Sequence, residues 1–66
     1  MTEMMKIWLS SMYLQEAEDH LETARFEHLC ALGSDDQEIA IIHEHSADEH
    51  REFARILKEM AEQLSA

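Results

Sequence analysis

The chain has 66 residues, no proline, one glycine and a formal net charge of −10, from 15 Asp and Glu against 5 Lys and Arg. A chain this short forms one domain, residues 1–66, and leaves much of its surface wet when it folds alone, so we expect it to self-associate. Its negative charge argues against binding to nucleic acid or to an anionic membrane, both of which require basic patches.

Cys30 is the only cysteine, which excludes an internal disulfide and is typical of a reducing compartment. The first residues lack a basic segment followed by a clean apolar run, so the sequence predicts no signal peptide. No stretch is apolar over the length that a bilayer requires. We therefore expect a cytoplasmic protein without a membrane segment.

The first predicted helix covers about residues 3–32, where Ala, Leu, Glu, Met and other good helix formers dominate. One heptad-spaced seam consists of Ile7, Ser10, Leu14, Ala17, Leu21, Ala24, His28 and Ala31. Other large apolar side chains surround the first half of this helix, more than one face requires. Trp8, Met12 and Tyr13 are therefore predicted to lie in a dimer interface or to anchor a binding partner.

The only break in the helical pattern is at Gly33 and Ser34. We expect Gly33 to end the first helix in the left-handed conformation, and Ser34 to cap the second helix in a capping box with Gln37. The second helix then covers about residues 35–64. Two helices of equal length joined by so short a connection are predicted to lie antiparallel, in an all-α hairpin.

The second helix carries two adjacent heptad-spaced seams. The first seam is Ile39, Ile42, Ser46, Glu49, Phe53, Ile56 and Met60, and the second is Ala40, His43, Ala47, His50, Ala54, Leu57, Ala61 and Leu64. Two seams indicate two neighbouring helices. We therefore predict that the hairpin forms a homodimer, which makes a four-helix bundle, or that it packs against another protein.

Histidine and carboxylate side chains are clustered in the middle of both helices. Helical bundles bind metals through such side chains when spacings of three and four residues project them from facing helices. The candidate ligands for iron or another divalent metal are Glu16, His20, Glu49, His50 and His45. The alternative is that the histidines are hydrogen-bonded interface residues without a metal.

Glu49 is the most informative of these candidates because it falls on an apolar seam, between Ser46 and Phe53. An unpaired carboxylate in an apolar interface is costly. Glu49 is therefore expected to bind a metal, to accept a hydrogen bond from a neighbouring residue, or to flank the core.

The segment from Asp36 to Ala54, together with Asp19-His-Leu-Glu22, resembles the encapsulated ferritins. Their short chains form helical hairpins that pair around a di-iron site, so the resemblance implies a dimer and an interface metal. The Glu-x-x-His ligand motif of that family is absent, because Glu49 is followed at the third position by Glu52 and then by Phe53.

The sequence has no nucleophile at a diagnostic spacing from a base, no phosphate-binding glycine loop and no paired cysteine motif. We therefore expect a small acidic interaction protein rather than an enzyme. It would be an adaptor, or an inhibitor that covers the basic nucleic-acid-binding groove of a partner, as some anti-defence proteins do. The alternative function is ferritin-like metal binding at a dimer interface.

Overall fold

The computed structural model describes residues 1–65, which form two α-helices and no β-strand. Helix α1 spans Glu3–Gly33 and helix α2 spans Gln37–Ser65. Together they form a rod with principal extents of 51 × 13 × 12 Å. In the described part of the chain, neither helix has an apolar stretch long enough to cross a membrane.

Contacts between the helices establish the antiparallel register. His20 contacts His50, Glu27 contacts His43, and the Ser10 hydroxyl donates to the Ala61 carbonyl at 3.5 Å. The numbers of each pair sum to 70 or 71, so the chain folds back about a point near Asp35. The predicted hairpin is confirmed, whereas its assembly into a four-helix bundle stays a prediction.

The predicted joint is placed correctly, but its local chemistry differs from the prediction. Gly33 is the last residue of α1 and does not have positive φ. The C-cap residue is Ser34, which has extended backbone (φ −86°, ψ 132°) and donates its N–H to the Ala31 carbonyl at 3.3 Å. The expectation of a left-handed glycine was therefore wrong.

Asp36, rather than Ser34, caps the start of α2. Its carboxylate accepts hydrogen bonds from the backbone N–H groups of Glu38 at 2.9 Å and Ile39 at 3.4 Å. The Ser34 hydroxyl is instead used inside the joint, where it accepts from the Asp36 N–H and donates to the Asp36 carbonyl. An aspartate is the stronger choice here because its negative charge also interacts favourably with the helix dipole.

The side chains buried between the helices are all alanine. The buried residues are Ala17, Ala24 and Ala31 on α1 and Ala47, Ala54 and Ala61 on α2. Each set repeats every seven residues, which keeps it on one face of its helix. Alanine side chains allow the two backbones to approach closely, so the second seam of α2 is the one that packs inside the hairpin.

Most of the first seam of α2 remains exposed in the hairpin, although Phe53 stacks on His20 of α1. Its large residues Ile39, Ile42, Phe53, Ile56 and Met60 are all exposed, with Ile42 the most so at 66%. No large side chain is fully buried among the described residues. Since burying a large aliphatic or aromatic side chain contributes about 1.5–3 kcal/mol, the hairpin uses little of the apolar surface that its sequence offers.

Candidate functional site

His20, His50 and Phe53 meet at mid-length of the rod. The Nδ1 atoms of His20 and His50 are 2.8 Å apart, and both side chains are partly buried. The His20 ring also stacks on Phe53, with centroids 5.4 Å apart. One imidazole must donate its Nδ1 proton while the other accepts it, so the two rings are chemically unequal in this arrangement.

Glu49 and His45 pair with each other on the outer side of α2, where the His45 Nε2 is 2.9 Å from the Glu49 Oε1. The Glu49 side chain is 60% exposed, so it is not a carboxylate trapped in a dry core. Glu16 is exposed as well. The hairpin therefore brings His20 and His50 together but leaves the three other predicted metal ligands apart from them.

The register also changes which predicted ligands share a level along the rod. Residue 16 of α1 is level with residue 54 or 55 of α2, because the contacting pairs on either side of it, His20–His50 and Ser10–Ala61, have numbers that sum to 70 and 71. Glu16 therefore lies roughly 8 Å along the axis from Glu49, at about 1.5 Å per helical residue. With the turn centred on Gly33, where the sequence predicts the joint, Glu16 and Glu49 would lie almost level; the turn is instead centred near Asp35.

Two further histidine–carboxylate pairs join the helices nearer to the joint. The His28 Nδ1 contacts the Glu44 carboxylate, and the His43 Nδ1 contacts the Glu27 carboxylate. These pairs were not predicted from the sequence. The signal was present, because the members of each pair are placed almost symmetrically about the joint.

The predicted partner-binding residues of α1 do not form one patch. Trp8 is 62% exposed and Met12 is 40% exposed, whereas Tyr13 is only half-buried. Trp8 and Tyr13 are five residues apart, which places them about 140° apart around the helix. Tyr13 is seven residues before His20 and lies on its side of the rod, while Trp8 points away from it.

One side of the rod, called here the apolar face, contains the His20–His50–Phe53 cluster at its centre. Leu9, Met12 and Tyr13 extend this face along α1. They stand eleven, eight and seven residues before His20, spacings that place them on the same side of the helix as His20. The exposed first seam of α2 forms its other edge: Ile39, Ile42, Phe53, Ile56 and Met60. This face joins a wide apolar surface to a polar centre.

The opposite side holds a groove of about 450 Å³ next to the joint, called here the acidic groove. It is lined by His28, Ala31, Leu32, Gln37, Ala40, Ile41, Glu44, His45 and Asp48. Alanines form its floor, and the exposed Leu32 and Ile41 form apolar walls. Glu44 and Asp48 supply negative charge at its edge.

Negative charge is concentrated in the half of the rod that contains the joint. Residues 19–52 have ten Asp and Glu against two Lys and Arg, a formal charge of −8, while the other half carries −2. Most of the cationic side chains of α2 are paired along the helix: Arg51 with Asp48 at 2.6 Å, and Arg55 with both Glu52 and Glu59. A hydrogen bond from Arg55 lowers the pKa of Glu52, and the same contact raises the pKa of Arg55.

Within residues 1–65, no group of three or more His, Cys, Asp or Glu side chains is arranged to hold a metal ion.

Comparison with models of protein families, with curated proteins and with solved structures finds no match to this chain.

Proposed function

We propose that this chain is a non-enzymatic interaction module whose apolar face pairs with the same face of a second copy, giving a four-helix bundle. The observation that carries the proposal is the first seam of α2, whose large apolar residues repeat at heptad spacing and are all exposed in the hairpin. The assembled module acts through protein–protein contacts, as an adaptor or an inhibitor, and presents the acidic half of each hairpin to its partners.

The surface area supports a second copy as the occupant of the apolar face. The hairpin exposes 5022 Å². A monomeric protein of 7.7 kDa is expected to expose about 4300 Å². The excess of roughly 700 Å² is close to the ~800 Å² that each partner buries in a stable interface of standard size.

The order of residues along the apolar face also suits self-pairing. His20 and His50 lie near the middle of both helices, and the Glu27–His43 pair lies on the same side one heptad nearer the joint. Apolar side chains of α2 and of the first half of α1 occupy the rest of this face. A two-fold axis along the length of the rod would place each level of this face against the same level of the second copy, so that polar pairs oppose polar pairs and apolar side chains oppose apolar side chains. The pairing therefore needs no second kind of surface.

Substitution of Ile42 by Asn tests the pairing. Ile42 is 66% exposed in the hairpin, so Ile42→Asn should change the stability of one hairpin by less than about 0.5 kcal/mol. A buried Asn in the dimer would be costly, and we expect the dimer dissociation constant to rise at least tenfold, or about 1.4 kcal/mol. Sedimentation velocity over a concentration series measures this change.

Ile41→Asn is the matched control, because Ile41 is the adjacent residue, is 60% exposed and lines the opposite side of the rod. This variant should keep the oligomeric state of the unmodified chain. A protein that stays monomeric at high micromolar concentration, or a dimer that Ile41→Asn disrupts and Ile42→Asn does not, contradicts the proposal.

A second candidate function is metal binding at the dimer interface, and the His20–His50 contact favours it. Imidazole nitrogens are good ligands for zinc, iron, nickel and copper. A tetrahedral metal with bonds of about 2.05 Å holds two nitrogens roughly 3.3 Å apart, only about 0.5 Å more than the 2.8 Å here. Pairing two hairpins at this level would bring four imidazoles close together, with Glu16 and Glu49 on the same side.

Native mass spectrometry with elemental analysis, after dialysis against Fe²⁺, Mn²⁺ or Zn²⁺, tests the metal. We expect a stoichiometric ion in the unmodified protein, and its loss in His20→Ala and His50→Ala. His28→Ala removes one imidazole from the acidic groove instead and should keep the ion. Absence of bound metal from the unmodified dimer rejects this second function without affecting the interaction module.

A further inference from the structure

We infer that the acidic groove binds a cationic amphipathic helix of another protein, which packs as a third helix against the joint half of the hairpin. The site lies on the side of the rod opposite to the apolar face. It does not depend on the proposed self-pairing, because a dimer formed through the apolar face leaves the groove open on each hairpin.

The shape of the groove fits a short helix. Its lining residues come from one turn at the end of α1 and from the first three turns of α2, residues 37–48. Those twelve residues extend about 18 Å at the helical rise, the length of a helix of about twelve residues. Alanines at the base of the groove allow a third backbone to approach both helices at once.

The groove offers an apolar helix two anchoring surfaces. Leu32 is 71% exposed and Ile41 is 60% exposed, and the hairpin supplies no residue to cover them. An amphipathic helix in such a groove inserts side chains at spacings of three, four and seven residues, so Leu32 and Ile41 would each contact one turn of it. This contact explains large apolar side chains at positions that the fold itself leaves in water.

Charge selects the kind of helix that binds. The joint half of the rod carries a formal charge of −8, and at the edge of the groove Glu44 and Asp48 contact His28 and Arg51 of the hairpin itself. Lys and Arg flanking the apolar stripe of the incoming helix would lie opposite this charge, which accelerates association and rejects acidic helices. A second copy of this chain is disfavoured as the occupant of this part of the rod, since it has 15 Asp and Glu but only 5 Lys and Arg to place against the negative charge.

A labelled 14-residue peptide of Leu and Lys, with Leu along one helical face, is a suitable probe for fluorescence anisotropy. We expect it to bind, and its affinity to fall with rising salt. Two control peptides, one with Ser in place of Leu and one with Glu in place of Lys, should each bind at least tenfold more weakly. Equal binding of the Ser peptide would mean unspecific charge attraction and would overturn the inference.

Variants of the protein locate the site. Ile41→Asn should weaken binding at least fivefold, and the double variant Glu44→Gln with Asp48→Asn should weaken it and reduce its salt dependence. Glu18→Gln with Glu62→Gln removes the same charge from the other half and should have a smaller effect. The Ile42→Asn variant should bind the peptide normally; if it loses binding while Ile41→Asn keeps it, the helix binds at the apolar face and the inference is wrong.

Discussion

Arg55 is the most highly connected side chain on the outer surface of α2. Its guanidinium donates to Glu52, with Nε–O distances of 3.1 and 3.2 Å, and to Glu59 at 2.6 Å. The partners are three residues before and four residues after it, the spacings at which helical side chains meet. All three groups are exposed, so the network contributes to local order more than to global stability.

The lowered pKa of Glu52 has a definite consequence for the pH dependence of this network. The contribution of Glu52 to stability is complete above the ordinary carboxyl pKa of the unfolded chain. It is lost as the pH falls through the lower pKa of the folded state, where the carboxylate takes up a proton. The Arg55 contact therefore weakens only in acid.

Substitution of Arg55 by Gln should raise the pKa of Glu52 towards its ordinary value, since the hydrogen bond that lowers it is removed. Carboxyl carbon shifts followed by NMR over an acid titration measure this pKa directly. Arg25→Gln removes an equal charge from α1 and should leave the Glu52 titration unchanged. An unaltered Glu52 pKa in Arg55→Gln would contradict the assignment.

At the scale of the helices, the alanine seam explains how a hairpin forms with so small a core. Alanine has the highest helix propensity and loses no side-chain rotamers on burial. The seam therefore costs little entropy, but each methyl group buries little area. The helices are joined by a contact that is inexpensive to form and weak, which is why their outer surfaces matter for stability.

Gly33 offers a test of how α1 ends. It has helical backbone without positive φ, and a Cβ added there would meet no atom within 4 Å. Gly33→Ala should therefore stabilise the protein by about 0.4–1 kcal/mol, because alanine restricts the unfolded chain without strain in the folded one. A left-handed glycine would give the opposite sign, a loss of about 1–2 kcal/mol.

Chemical denaturation of Gly33→Ala, at a protein concentration fixed between variants, measures this difference. Asp36→Ala is the companion variant, since it removes the carboxylate that caps α2 and should cost about 1 kcal/mol. Ser34→Ala should cost less, because the Ser34 hydroxyl bonds only within the joint. A larger loss for Ser34→Ala than for Asp36→Ala would restore the capping box that the sequence suggested.

At the scale of the whole molecule, the sequence was sufficient to predict the hairpin but not its register. Helix propensity and the isolated Gly33 predict two helices of similar length. This prediction does not change if the position of the joint is wrong by a few residues. Which side chains face each other does depend on the joint, since moving the midpoint of the turn by two residues shifts every pairing by four residues, about 6 Å. The His20–His50 contact and the separation of Glu16 from Glu49 follow from this detail.

The sequence pattern also did not predict which residues lie on each side of the rod. Both seams of α2 predict a neighbour, and periodicity alone does not say which neighbour is α1. The structure assigns the alanine seam to α1, which leaves Ile42 on the apolar face and Ile41 in the acidic groove. Adjacent residues thus belong to surfaces that we propose for different partners.

The alanine seam has one more consequence, for the specificity of the fold. Because alanines recur every seven residues on both helices, sliding one helix by a heptad, about 10 Å, would again place alanine opposite alanine. The seam is thus nearly periodic and does not distinguish one alignment from the next. Two features break this translational symmetry: the short joint, and the polar contacts His20–His50, Glu27–His43 and His28–Glu44. The histidines therefore help to specify a single alignment of the helices, whatever else they bind.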